Sequence, residues 1–167
     1  NAGVVDRCMK EMDVARFADR LFHTLSGGEQ QRVQLARVLA QLEDIENPAD
    51  RILLLDEPTA SMDWLNQQLI LSRLRGLSIE GYTVVVVLHD LNLAAQYAEH
   101  ILLLKSGRLE SQGSVGEVLN ARLISSVYGI PVEVVRLEDY PFPLLFPASG
   151  KITIHHIHKN PNNGNYT

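Results

Sequence analysis

The first third of the chain carries apolar residues at helical spacing. After the glycines at 27 and 28, the apolar positions 35, 38, 39 and 42 follow the i, i+3, i+4, i+7 rule, and polar residues fill most of the other positions. This pattern predicts an amphipathic helix from about Gly28 to Leu42. The charged stretch Val4 to Phe22 predicts a helical segment before it, and further helices are predicted over Trp64 to Leu77 and Leu91 to Ala98.

Continuous apolar runs separate these helices. Ile52 to Leu55 and the valine-rich Thr83 to Leu88 predict strands that are buried on both faces. Ile101 to Leu104 predicts a third strand, and the turn at residues 106–108 predicts a hairpin with Leu109 to Gln112. Strands that alternate with helices indicate an α/β fold with a parallel sheet.

The pattern changes after this hairpin. Ser114 and Glu117 form a Ser-x-x-Glu capping box, which predicts a helix toward Leu119. Val132 to Leu137 and Lys151 to Ile157 predict strands of a small terminal part, which a polar tail follows.

Composition narrows the class of protein. The 167 residues are 46% hydrophobic and carry a net charge of −5, which fits one domain with a real core and argues against a general nucleic-acid binder. No apolar run approaches the length of a membrane span. Cys8 is the single cysteine, so an internal disulfide is excluded, and we expect a buried, small apolar side chain there.

One short stretch points to anion binding. Leu25 to Glu29 reads Leu-Ser-Gly-Gly-Glu directly before the first amphipathic helix, and we call it the Ser-Gly-Gly segment. Bare backbone N–H groups at a helix start form a ready site for a phosphate. The alternative is local, because Ser26 and Glu29 also have the spacing of a capping box. The segment alone leaves both interpretations open.

Polar residues follow two of the predicted strands. Asp56 and Glu57, the acidic pair, end the first strand, and His89 follows the second. Because ligands of open parallel sheets bind at the carboxyl ends of strands, these side chains are expected at one edge. Carboxylate and phosphate oxygens are the ligands that Mg²⁺ prefers, so Asp56 is a candidate metal ligand. The alternative, a helix cap, is weaker because residues 59–63 offer better caps.

Together these motifs resemble the ABC ATPases in kind and in order, over about Val4 to Leu119. Leu25–Glu29 resembles the signature motif, and Leu53–Glu57 resembles the Walker B strand with its glutamate. Ser61-Met62-Asp63 resembles the D-loop, and His89 the switch histidine. The Ser-Gly-Gly segment departs slightly from the commonest signature, since Glu29 stands where Gln is usual. The resemblance implies the C-terminal portion of an ABC ATPase domain, with a RecA-like parallel sheet of the P-loop NTPase type and part of the helical subdomain.

The resemblance also implies roles around ATP. Asp56 would hold Mg²⁺, Glu57 would polarise the attacking water as general base, and His89 would contact the γ-phosphate.

A second copy of the protein is implied as well, because ABC ATPases hold ATP between two copies. Asp63 would lie at the interface between the copies. The residues implied to bind the other copy's nucleotide are Ser26, Gly27, Gly28 and Glu29.

The same resemblance suggests three parts. Residues 1–42 would belong to the helical subdomain with the signature motif. Residues 43–130 would form part of the RecA-like core, and residues 131–167 a C-terminal extension with a mobile tail.

The sequence lacks a P-loop of the form G-x-x-x-x-G-K-[ST]. Its one Gly-Lys pair, Gly150-Lys151, is followed by Ile152 and has Leu145 five positions before the glycine. Since the first residue is Asn1, we expect a C-terminal piece of a longer ABC ATPase. Alone it should neither bind ATP tightly nor hydrolyse it, and its uncovered sheet should favour dimerisation or exchange of elements.

The class of transporter rests on similarity alone. His89 to Ala98 and Leu102 to Arg108 are similar to ATP-binding subunits of importers for iron chelates, heme and cobalamin, and the long Gln41 to Asp50 segment resembles the heme branch. This implies transmembrane permease subunits as partners, a periplasmic or surface substrate-binding protein indirectly, no nucleic acid, and a peripheral place on the cytoplasmic face of the inner membrane.

Several alternatives stay open. The cargo could differ, or the protein could be a soluble ABC ATPase without a transporter. A regulatory domain with relic motifs is less favoured, since Glu57 and His89 are retained. The tail carries three histidines, His155, His156 and His158. A solvent-facing strand is favoured there over a metal or heme site.

Overall fold

A computed structural model describes residues 2–43, 47, 51–60 and 62–148. Two short 3₁₀ helices cover Ala15–Phe17 and Phe22–Thr24. The α-helices of the described part are α1 Ala2–Glu11, α2 Gly27–Leu42, α3 Trp64–Ile79, α4 Leu91–Tyr97, α5 Val115–Val118 and α6 Ala121–Tyr128. Its strands are β1 Ile52–Asp56, β2 Thr83–Val87, β3 His100–Lys105, β4 Arg108–Ser114, β5 Val132–Val135 and β6 Leu144–Pro147.

The predicted parallel pairing is confirmed for two strands. β1 and β2 run parallel, with Leu54 opposite Val85 and Asp56 opposite Val87. The prediction that both faces are buried is wrong for the described residues. Leu53 is 2% exposed, but Leu54 on the other face is 71% exposed, because no described element covers that face.

The lead-in helix predicted over Val4 to Phe22 is also shorter than expected. α1 ends at Glu11, and Asp13 takes a left-handed backbone with φ of 52°. An L-residue cannot continue a right-handed helix in that conformation, so the chain turns there and enters the first 3₁₀ helix.

The hairpin predicted after the third strand is confirmed. Lys105 pairs with Arg108, which leaves a two-residue turn, and both Ser106 and Gly107 have positive φ. Such a turn matches the natural twist of an antiparallel pair. Arg108 therefore begins β4 rather than belonging to the turn. β3 pairs only with β4 among the described strands, so the expected third strand of the parallel sheet is not found there.

In the described part of the chain these elements pack around two hydrophobic cores. The first lies between α1, α2, α3 and the inner face of β1–β2, and it contains Cys8, whose expected burial is confirmed. Burial is the main reason that the pKa of the Cys8 thiol is raised. The second lies under α4, α5, α6, β3 and β6, around Val118, Leu119 and Ile124.

The helix predicted from Ser114 is confirmed as α5, where the Ser114 N–H and hydroxyl both donate to Glu117 Oε2. α6 and β6 were not predicted. The strand expected over Lys151 to Ile157, the polar tail and its three histidines lie outside the described residues. The division at residues 42 and 130 stays a prediction.

The Asn92 side chain joins β6 to α4. Asn92 donates through Nδ2 to the Leu145 carbonyl at 3.1 Å and accepts from the Leu145 N–H at 2.8 Å. The amide group thus pairs with β6 as a neighbouring strand would. This joins β6 to the helix that begins two residues after His89.

Replacing Asn92 by Ala is expected to lower the free energy of unfolding by about 1–3 kcal/mol, because both backbone groups of the buried Leu145 lose their partner. Urea unfolding followed by circular dichroism measures the change. Asn92→Asp keeps the acceptor for the Leu145 N–H but sets a carboxylate oxygen against the Leu145 carbonyl, so it should not restore the lost stability. An unchanged unfolding midpoint in Asn92→Ala would show that the pairing does not contribute.

Candidate functional site

The Ser-Gly-Gly segment forms the start of α2 as a complete capping box. The Glu29 N–H donates to Ser26 Oγ at 3.4 Å, and the Ser26 N–H donates to Glu29 Oε2 at 2.8 Å. The Ser26 backbone N–H is the main cause that lowers the pKa of Glu29, with the Ser26 hydroxyl second and Arg20 and Arg16 contributing. The interpretation of Ser26 and Glu29 as a capping box is therefore confirmed.

Capping leaves the outer surface of the Ser-Gly-Gly segment accessible to solvent. Ser26 and Gly27 are exposed, and a Cβ on Gly27 would meet no atom within 4 Å. A ligand can therefore approach the backbone at Gly27 closely. The Glu29 carboxylate already accepts from the Ser26 N–H as part of the cap. All four nucleotide contacts stay predictions.

The acidic pair lies at the carboxyl end of β1. Asp56 is the last residue of the strand and is exposed, and Glu57 follows with a left-handed φ of 47°. The Glu57 N–H donates to the Val87 carbonyl at 3.2 Å, which extends the β1–β2 pairing by one bond. A non-glycine residue in this conformation is uncommon and is found at functional sites more often than elsewhere.

The structure brings Glu57 and His89 into direct contact. His89 Nε2 lies 2.5 Å from Glu57 Oε1. The His89 side chain is 79% exposed and that of Glu57 is 40% exposed, so a phosphate and a water molecule can reach both. The sequence placed both residues at one sheet edge, and the geometry agrees with that expectation.

Asp63 caps α3 instead of lying unengaged. Its Oδ1 accepts from the Asn66 N–H at 2.8 Å, and its Oδ2 accepts from Asn66 Nδ2 at 2.7 Å. The Asn66 backbone bond is the main reason that the pKa of Asp63 is lowered. The role of Asp63 between two copies stays a prediction, and its neighbour Ser61 lies outside the described residues.

Sequence reasoning missed two residues that join α2 to this edge. Gln31 Nε2 donates to the Glu57 carbonyl at 3.1 Å, and Arg32 Nη1 donates to Asn66 Oδ1. Both occupy polar positions of a helix whose apolar stripe decided the prediction. Helical spacing shows that they leave the stripe, but it does not show which loop they meet.

Among the residues described, one carboxylate is placed to bind a metal ion, but no cluster of ligands surrounds it. The described residues contain no group of three or more His, Cys, Asp or Glu side chains that could hold an ion. Asp56 nevertheless offers an exposed carboxylate at the strand end. Mg²⁺ bound beside phosphates commonly uses only one or two protein carboxylates and takes its remaining ligands from phosphate and water. Asp56 fits that use.

Comparison with known proteins decides the family. The ABC transporter family profile matches residues 2–60. The chain is 47% identical over 135 residues to the Hemin import ATP-binding protein HmuV of Myxococcus xanthus, which covers 81% of this chain and 51% of that protein. The chain belongs to the ABC transporter family of ATP-binding proteins. It spans about half the length of the curated relatives that it matches.

Solved structures agree with this membership in the ABC family. A chain of an inward-facing structure described as a metal-chelate type ABC transporter superimposes with a TM-score of 0.72 at 25% identity, covering 87% of this chain and 56% of that one. A dimeric ATP-binding cassette bound to ADP and Pi gives a TM-score of 0.56 at 38% identity, covering 65% and 44%. The predicted fold class, a portion of an ABC ATPase domain, is thereby confirmed.

Membrane insertion has no helical candidate in the described part of this ABC chain. None of its helices there combines the length and the apolar character that a bilayer span requires.

Proposed function

We propose that the protein carrying this chain hydrolyses ATP to drive import of heme or an iron chelate. The observation that carries the proposal is the Glu57–His89 contact at the end of the parallel strands. Glu57 accepts a proton from the attacking water, and His89 contacts the γ-phosphate and holds the glutamate in place. Phosphoryl transfer depends mainly on positioning and charge stabilisation. Glu57 and His89 supply the positioning.

The nucleotide site is shared between two copies. The exposed Ser26 and Gly27 are available to phosphates held by another subunit, and the start of α2 favours negative charge there. A solved relative that is dimeric and bound to ADP and Pi supports this arrangement. Asp63 would lie near the contact between the two copies.

In this proposal Asp56 is the protein ligand of Mg²⁺. The exposed carboxylate would hold the ion directly or through water, and the bound ion would neutralise charge on the phosphate oxygens.

The cargo follows from similarity. The relatives named hemin import ATP-binding proteins and the neighbour described as a metal-chelate type transporter both support heme or an iron chelate. The proposed partners are transmembrane permease subunits, with a substrate-binding protein acting through them, and the proposed place is the cytoplasmic face of the membrane.

A transport assay tests the cargo. The full protein is reconstituted with its permease in liposomes, and uptake of hemin, a ferric chelate and cobalamin is measured with and without Mg-ATP. We expect ATP-dependent uptake of hemin or the ferric chelate. Preferred uptake of cobalamin would replace the cargo, and ATP hydrolysis with no uptake of any of the three compounds would favour a soluble ABC ATPase.

A further inference from the structure

A glutamine of α2 reaches the backbone of Glu57. Gln31 lies in the first turn and a half of the helix, is partly buried, and donates through Nε2 to the Glu57 carbonyl at 3.1 Å. The same carbonyl accepts from the Ala60 N–H at 3.1 Å. The bond spans 26 positions of sequence, so it joins two separate elements.

The Glu57 backbone needs such support. Its φ of 47° is unfavourable for an L-residue by about 1–2 kcal/mol, so surrounding contacts must hold it. The Val87 carbonyl holds its N–H, while Gln31 and Ala60 hold its carbonyl. The direction of the carboxylate toward His89 depends on this backbone setting.

Other contacts of the same helix meet the loop after Glu57. A Cβ on Gly28 would lie 3.7 Å from Met62 Cγ, so the Ser-Gly-Gly segment packs beside the loop. Arg32 donates to Asn66, which in turn binds the Asp63 carboxylate. The start of α2 therefore contacts residues 57–60 and 62–66 at several points, and among the described contacts of α2 Gln31 makes the one that reaches Glu57.

We propose that Gln31 is a positioning residue that couples the place of the Ser-Gly-Gly segment to the orientation of Glu57. The proposal rests on the proposed function, in which Glu57 is the general base. When a partner's nucleotide engages the segment, α2 takes a defined position. Gln31 then sets the Glu57 carbonyl, and through it the carboxylate, for reaction in this copy's own site.

The decisive variant is Gln31→Met in the full protein, which keeps the length of the side chain and removes the donor. We expect kcat for ATP hydrolysis to fall about tenfold to a hundredfold, because small displacements of a reacting group have effects of this size. KM for ATP, the dimerisation constant and the melting temperature should stay close to those of the wild type. Gln34→Met is the matched control, since Gln34 is exposed on the same helix.

A double variant separates positioning from general weakening. If Gln31 acts through Glu57, Gln31→Met should cause almost no further loss in a Glu57→Gln background. A purely structural residue would lower the melting temperature and weaken dimerisation in both backgrounds. Gln31→Glu, which is isosteric and places a carboxylate against the carbonyl, should lower kcat in the same way and serves if Gln31→Met does not fold.

The two proposals fail differently. The coupling is overturned if Gln31→Met keeps the kcat of Gln34→Met while Glu57→Gln is inactive, or if its losses in kcat and melting temperature occur together. Near-normal hydrolysis by Glu57→Gln would instead overturn the proposed role of the glutamate itself.

Discussion

The Glu57→Gln variant of the full protein should bind Mg-ATP as tightly as the wild type and lose turnover by about 100- to 10,000-fold. This range is the usual contribution of a general base. Glutamine has the same shape and can still bond to His89 Nε2, so the strand end should keep its geometry. Steady-state hydrolysis and nucleotide titration measure the two effects separately.

The same variant should accumulate as an ATP-bound dimer, because closure no longer leads to hydrolysis. Light scattering with and without ATP detects it. Glu110→Gln is the matched control, since Glu110 is an exposed glutamate on β4, and it should hydrolyse ATP normally. A Glu57→Gln protein that retains most of its hydrolysis would remove Glu57 from the role of base.

The Ser26→Arg variant should bind ATP within its own site and fail to form the ATP-dependent dimer, so that hydrolysis falls to the level of an isolated subunit. The exposed Ser26 and Gly27 leave open space, and a large side chain would fill it on the side that a partner's phosphates would approach. ATP-induced dimerisation, measured by size-exclusion chromatography with light scattering, is the readout.

Two variants separate the possible causes of that loss. Ser26→Ala removes the capping hydroxyl without adding bulk, so it should weaken the start of α2 slightly and still dimerise. Gln34→Arg adds the same charge farther along the helix and should behave as the wild type. Dimerisation by Ser26→Arg would mean that this segment does not face a partner.

Periodicity was sufficient for much of the fold. The helix from Gly27 to Leu42 and the strands after Ile52 and Thr83 could be predicted because each presents a strong local pattern. The hairpin turn at Ser106 and Gly107 could be predicted for a similar reason, since only a few sequences adopt positive φ at two successive positions.

The long-range contacts could not be predicted in this way. Gln31 carries no local mark that distinguishes it from Gln34, yet only its amide meets the Glu57 carbonyl among the described contacts of the two residues. The exposure of Leu54 could not be predicted either, because an apolar run shows what a strand can bury and not which elements are present to cover it. α6 and β6 are short, and their apolar patterns become visible only through the core that they share.

The attachment of β6 has a consequence for which substitutions this chain can tolerate. Asn92 recognises the N–H and carbonyl of Leu145 and not its side chain. Every amino acid except proline offers that pair of groups. Residues 144–147 can therefore accumulate substitutions that suit their own packing while the attachment persists, whereas Asn92 has almost no substitute of the same length and polarity. Substitutions are therefore tolerated more readily on the β6 side of this contact than at Asn92.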